Sequence, residues 1–175
     1  MGLGGCVAGA VAKRPVPHNA CPLPGVREVR VHPALVADGF MDAILWAFDR
    51  WKQVVPGLRF TIVISDQANQ DIIDCVTSFI PYQFVPPEYA APVFGDTRNG
   101  HVRIESPNNP LLPEGRKALM LHELGHLLFG FGHTTDRTSI MFPVIQAAPA
   151  LSLQDEANAQ AAFLIRDGAE RSAFA

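Results

Sequence analysis

No apolar run in this sequence approaches the ~20 residues that a membrane-spanning helix needs, so nothing in it reads as a bilayer span. No block of lysine or arginine stands out either. The 14 basic residues are outnumbered by 17 acidic ones, for a formal net charge of -3. Nucleic-acid binding requires a basic patch, and its absence removes that class of partner. Charged residues are only 18% of the chain against 48% hydrophobic, which excludes a disordered polyelectrolyte and indicates a packed core. There is no internal repeat and no heptad run. A length of 175 residues suits one domain with a short tail, expected to be monomeric.

Cysteine is also scarce. There are three, Cys6, Cys21 and Cys75. The start, MGLGGCVAGAVA, has no basic residue ahead of its small apolar run and is too short for a complete signal peptide. Within it, Leu3-Gly4-Gly5-Cys6 resembles a bacterial lipobox, which would make Cys6 a lipid anchor to a membrane. That leaves an even pair, Cys21 and Cys75, either a disulfide in an oxidising compartment or two unrelated thiols. On this reading the protein is extracytoplasmic, secreted or envelope-anchored.

Proline, by contrast, is abundant. The 15 prolines cluster in residues 15–24, 81–92 and 107–113, which read as ordered loops or linkers. Residues 1–25 read as a tail or linker. Val26–His32 alternates as a half-buried strand. Pro33 opens a helix whose apolar residues Phe40, Ile44, Leu45, Phe48 and Trp51 recur at helical spacing from Ala34 to Val54, until Pro56-Gly57 stops it. Leu58–Ser65 is rich in β-branched residues and reads as a strand, with another over Ile72–Phe79. Glu88–Phe94 and His101–Glu105 read as two strands joined across Asn99-Gly100, with Pro92 tolerated only at a sheet edge. Pro113 opens a further helix. Residues 134–150 read as irregular. A last helix runs from Ser152 to about Arg166, with Ser152 and Asp155 close to a capping box.

The chemistry is concentrated at HELGHLLFGFGH, residues 122–133. Residues four apart share one face of a helix, so His122 and His126 are placed to grip a single zinc. Glu123, one step along, reaches a water on that metal and serves as general base. Leu119, Leu121, Leu124, Leu127 and Leu128 make this helix apolar nearly all round, hence buried. Two histidines and a glutamate in a buried helix need partners, and a metal supplies them. A third ligand is still required. His133 is the nearest candidate, with Gly130 and Gly132 available to turn the chain back. Asp136 and Glu156 are the fallbacks.

The stretch resembles the metzincin signature H-E-x-x-H-x-x-G-x-x-H, with Gly130 and His133 each one residue late. His133 to Pro143, HTTDRTSIMFP, is similar to the segment of matrixins that joins the third histidine to the Met-turn. Leu151-Ser152-x-x-Asp155 and the Ala-rich helix after it also resemble that family. The resemblance covers roughly residues 26–166 and is most specific at 122–143.

It implies an α+β, metzincin-like fold: a twisted mixed β-sheet, two long helices including the active-site helix, a Met-turn and a C-terminal helix. The catalytic domain would span 26–168, with 169–175 as a tail. It implies one catalytic zinc held by His122, His126 and His133, with Glu123 catalytic and Met141 packing beneath the metal. Pro143, Val144 and Ile145, up to Gln146, would line the pocket past the scissile bond. The substrate, a protein or peptide, would lie extended beside an edge strand over 88–94. The tyrosine that follows the Met-turn methionine in some metzincins is missing here, where Phe142 stands. Structural calcium is not evident, although Asp96 and Glu105 are possible ligands. A cysteine latency switch is not matched by the surroundings of Cys21. His18, His32 and His101 read as surface or capping histidines. The implied function is a zinc metalloendopeptidase. The alternatives are a zinc-binding interaction module without catalysis, or a metallopeptidase with another third ligand.

Overall fold

A computed structural model describes residues 27–66, 72–76, 95–98, 101–105, 110–145 and 149–173. The tail with Cys6, His18 and Cys21, the 88–94 strand and Gln146 lie outside them. Cys75 lies in a strand, Ile72–Val76, but the cysteine expected to pair with it is among the residues outside.

The architecture is α+β. Five strands, β1 (Arg27–Val31), β2 (Phe60–Ile64), β3 (Ile72–Val76), β4 (Gly95–Arg98) and β5 (His101–Glu105), form one sheet in the order β2-β1-β3-β5-β4. The first four in that order are mutually parallel. β4 alone runs antiparallel, paired with β5 from Gly95↔Ile104 to Arg98↔His101. The sheet is therefore mixed, with its antiparallel strand at one edge.

Two helices provide most of the core. In α2 (Met41–Val54) the buried residues Ala43, Ile44, Ala47, Phe48, Trp51 and Val54 fall three or four apart, one stripe of a helix. The Phe48 ring meets Phe60 of β2 at 4.2 Å between centroids. Val29 and Val31 of β1, and Val102 and Ile104 of β5, are fully buried, so alternate residues of both strands face the core. α3 (Pro113–Phe129) packs against α2, and Trp51 Nε1 donates to the Leu121 carbonyl at 3.0 Å. α4 (Leu153–Ala173) docks through Asp155 and Ala159. No helix among the described residues is long and apolar enough to cross a membrane.

β4 (Gly95–Arg98) lies in the stretch that the sequence reading gave to the connection after 88–94, and two helix boundaries also differ from that reading. The single helix expected over 34–54 is two, α1 (Pro33–Ala37) and α2. Gly39 sits at φ 75°, left-handed, and ends α1, while the Phe40 amide reaches the Leu35 carbonyl at 2.8 Å. That break drops Phe40 into the core at 0% exposure, with the Arg116 guanidinium 4.6 Å from its ring centroid. Periodicity alone does not reveal it, because the apolar stripe continues through the break. The last helix, expected to end near Arg166, continues to Ala173, across the expected boundary at 168. Ala169, Glu170 and Arg171 are good helix formers and extend it.

Gly39→Ala puts a Cβ on a left-handed residue, which costs about 1 kcal/mol. The midpoint of urea unfolding is expected to fall accordingly with no change in slope.

Candidate metal centre and active site

α3 begins with Pro113 at its first turn, where a missing amide hydrogen costs nothing. From Ala118 to Gly125 every residue is buried, including His122 at 4% and Glu123 at 3% exposure. Gly125, between Glu123 and His126 in the motif, is a packing requirement. A Cβ there would lie 2.5 Å from Met141 Sδ and 3.5 Å from the Trp51 ring. Met141 thus lies directly against the helix that carries two of the histidines.

The extra residue before His133 is absorbed at the end of α3. The helix runs to Phe129, and Gly130 stops it at φ 67°. The Gly130 amide donates to His126 O at 3.0 Å and the Phe131 amide to Gly125 O at 3.4 Å. Phe131 then returns to the core at 5% exposure, stacked on Phe129 at 5.1 Å, with Trp51 edge-on to both. Gly130 carries the turn; around Gly132 nothing lies within 4 Å of an added Cβ.

The chain then delivers His133 to the other two. The three Nε2 atoms stand 3.1 Å (His122–His126), 3.2 Å (His122–His133) and 3.3 Å (His126–His133) apart. The protons are accounted for elsewhere. His122 Nδ1–H donates to the Ile140 carbonyl at 2.7 Å, and His126 Nδ1–H donates to the Phe131 carbonyl. A carbonyl only accepts, so in the neutral rings Nε2 of both is a bare lone pair. Lone pairs converging at this distance repel unless a cation lies between them. Tetrahedral zinc with Zn–N bonds near 2.0–2.1 Å needs ligand nitrogens about 3.3–3.4 Å apart, and the trio fits that spacing. Among the described residues, this is the one group of three or more histidine, cysteine or acidic side chains close enough to share a metal ion.

The electrostatics agree with a ligand role. Burial holds His122 well below the usual imidazole range, and the neighbouring rings push the same way, against the Ile140 hydrogen bond. Burial also lowers His126 against the Phe131 hydrogen bond. His133 is exposed as a residue, but loss of water around its ring, together with His126, lowers it to about 4. All three are neutral and able to ligate at pH 7. Burial pushes the Glu123 carboxyl up to about 8, opposed by a Thr97 hydroxyl and reinforced by Asp96.

The fallback ligands are engaged elsewhere. Asp136 accepts from the Thr138 amide and hydroxyl, both at 2.8 Å, and Glu156 pairs with Arg50 at 3.1 Å. Asp96, weighed as a calcium ligand, receives Arg103 Nε at 2.7 Å and a second nitrogen of the same guanidinium. Pro143, Val144 and Ile145 follow the Met-turn half-buried.

Two residues of the site escaped the sequence reading in their true roles. Asp155, read only as a helix cap, is 3% exposed. It accepts from Ser139 Oγ at 2.5 Å, the Ile140 amide at 3.0 Å, and the Ser152 amide and hydroxyl at 2.8 Å. It therefore anchors to α4 the peptide whose carbonyl orients His122. The second is Thr97, whose pairing with Glu123 no local pattern announces.

With this geometry in hand, comparison with known proteins is informative at one place. The matrixin peptidase family model matches residues 115–163, from α3 through the third histidine and Met-turn into α4. Over that segment the chain is similar to matrixin peptidases. His122, His126 and His133 all lie within the matched segment. No curated protein sequence matches the chain. Among solved structures, it is similar to the crystal structure of archaemetzincin from Methanopyrus kandleri. The identity is 14% and the TM-score 0.46, over 79% of this chain and 96% of that one.

Asp155→Ala leaves several buried donors without an acceptor and is expected to cost about 3 kcal/mol. Because Ile140 loses its anchor, zinc affinity should fall as well, by up to about tenfold. Thermal unfolding with and without zinc, and competition against a chromophoric chelator, check the two parts separately.

Proposed function

We propose that this protein is a zinc-dependent metalloendopeptidase that hydrolyses peptide bonds in proteins or peptides, with Glu123 as its general base. The observation that carries the reading is the convergence of three histidine Nε2 atoms, two of them left bare by their Nδ1 hydrogen bonds, beside a buried glutamate that zinc binding does not need. A site that only stored or sensed zinc would have no use for a carboxylate there, which costs stability through its burial. Bound zinc supplies Lewis-acid chemistry, polarising a carbonyl and bringing the pKa of a nearby water toward about 7. The chain's own residues do the rest. Glu123 takes the proton from the attacking water and returns it to the leaving amine. His122, His126 and His133 hold the metal in neutral form, with the Ile140 and Phe131 carbonyls keeping the first two rings aimed.

The substrate would lie extended along the edge of the sheet. β4 is the outermost described strand on the side next to β5 and packs against α3, which supports it as a docking edge. Strand addition would hold the substrate by main-chain hydrogen bonds while pockets read alternate side chains. Pro143, Val144 and Ile145, leaving the Met-turn, are the candidates for the pocket past the scissile bond.

The test is cleavage of a mixed peptide library followed by mass spectrometry. Wild type should cut within peptides and lose activity on chelation. Glu123→Ala should keep one zinc per chain yet fall by about 10²–10⁴-fold in kcat/KM. His133→Ala should lose its zinc at concentrations where wild type is saturated. A wild type that holds zinc but cuts nothing would turn the reading to a zinc-binding interaction module. A His133→Ala variant that keeps zinc would point to another third ligand.

A further inference from the structure

The peptidase reading uses Glu123 but leaves open what aims it. α3 fixes its main chain, yet a glutamate side chain has three rotatable bonds, and a general base is effective only at one orientation. Among the described residues, one side chain from outside the helix hydrogen-bonds to it. Thr97 Oγ1, on β4, lies 2.6 Å from Glu123 Oε2 and 3.2 Å from the Glu123 carbonyl oxygen. A hydroxyl has one proton to give, and in the ionised form that a general base needs the carboxylate is the stronger acceptor, so the shorter bond takes it. Among the described residues the other carboxylate oxygen, Oε1, has no hydrogen-bond partner.

The fold brings these groups together by close approach of strand and helix. Gly95, two residues before Thr97, sits so near α3 that an added Cβ would lie 2.9 Å from Leu119 Cδ1. The pairing of Thr97 with Val102, which is fully buried, fixes the register of the strand at that point. Asp96, on the opposite face of the strand, is held by Arg103 of β5. Thr97 is therefore flanked by constraints on both sides, and its hydroxyl is presented to Glu123 from a rigid strand.

We propose that Thr97 is a positioning residue for Glu123: its hydroxyl ties down Oε2 and so leaves Oε1 as the oxygen that faces the reacting water. The assignment rests on the peptidase reading for its catalytic meaning, but the contact itself does not. Thr97 touches neither substrate nor metal on this account. It acts only through the carboxylate, and the strand that carries it is the proposed docking edge for substrate.

Three variants separate this role from simple packing. Thr97→Val keeps the shape and removes the donor. Thr97→Ser keeps the donor and removes the methyl. Thr97→Ala replaces the valine variant if that one does not fold. Thr97→Val should keep one zinc per chain, lower kcat by about 10- to 100-fold and change KM by no more than about twofold. Thr97→Ser should restore kcat. A second readout needs no activity. In metal-free protein labelled with ¹³C-glutamate, and with Glu123 assigned through Glu123→Gln, side-chain couplings should report a single rotamer in wild type and Thr97→Ser. They should report averaging in Thr97→Val. If Glu123 keeps one rotamer in Thr97→Val, or if kcat is unchanged, the proposal is overturned. If wild type cuts no peptide but the rotamer still depends on the hydroxyl, the positioning stands and the peptidase reading falls.

Discussion

The site depends on two main-chain carbonyls. Ile140 O and Phe131 O each take the Nδ1 proton of a histidine, and that leaves bare nitrogens crowded together at a spacing that only a cation relieves. The rest of the molecule can be followed outward from these two hydrogen bonds. Ile140 is where it is because its amide is held by Asp155, and Asp155 is buried because α4 packs back on the core. Phe131 is where it is because Gly130 adopts a left-handed turn and the aromatic ring returns to pack against Phe129 and Trp51. Trp51 in turn is fixed by its hydrogen bond to Leu121, one residue before the first ligand. The placement of the three histidines and the packing of the core are thus the same set of constraints.

This explains how a departure of one residue from the expected spacing is tolerated. A metal does not count residues; it samples the positions of donor atoms. Extending α3 by one residue would by itself carry the third histidine around and along the helix axis. The extra residue instead ends in a hydrophobic anchor, Phe131, and the segment after it is free to reach back. The fit of the three nitrogens is set by where the phenylalanine packs.

Glu123 shows the opposing pull. Burying a carboxylate is unfavourable, and its pKa of about 8 records the cost, with one hydroxyl from the sheet offsetting part of it. A bound cation would return it to the ionised form that a general base needs. The close contact of β4 with α3 and the burial of α3 against α2 keep bulk solvent from most of this carboxylate.

Much of this was legible in the residues. The four-residue spacing of His122 and His126 on an apolar helix, and the Ser-Ile-Met-x-Pro string after His133, marked the proposed ligand pair, the proposed general base and the turn beneath them, because these are local patterns on one helix or one loop. Most of the order of strands and helices was also readable from periodicity, β4 and the division of the first helix excepted. Tertiary structure alone decided the remainder. The break at Gly39 is invisible to periodicity because the apolar stripe runs through it. The need for glycine at 125 comes from Met141, 16 positions away in the chain. The convergence of His133, the capture of Ile140 by Asp155 and the reach of Thr97 to Glu123 join segments from different elements. No single element's sequence holds information about such meetings, which arise only when the core has packed.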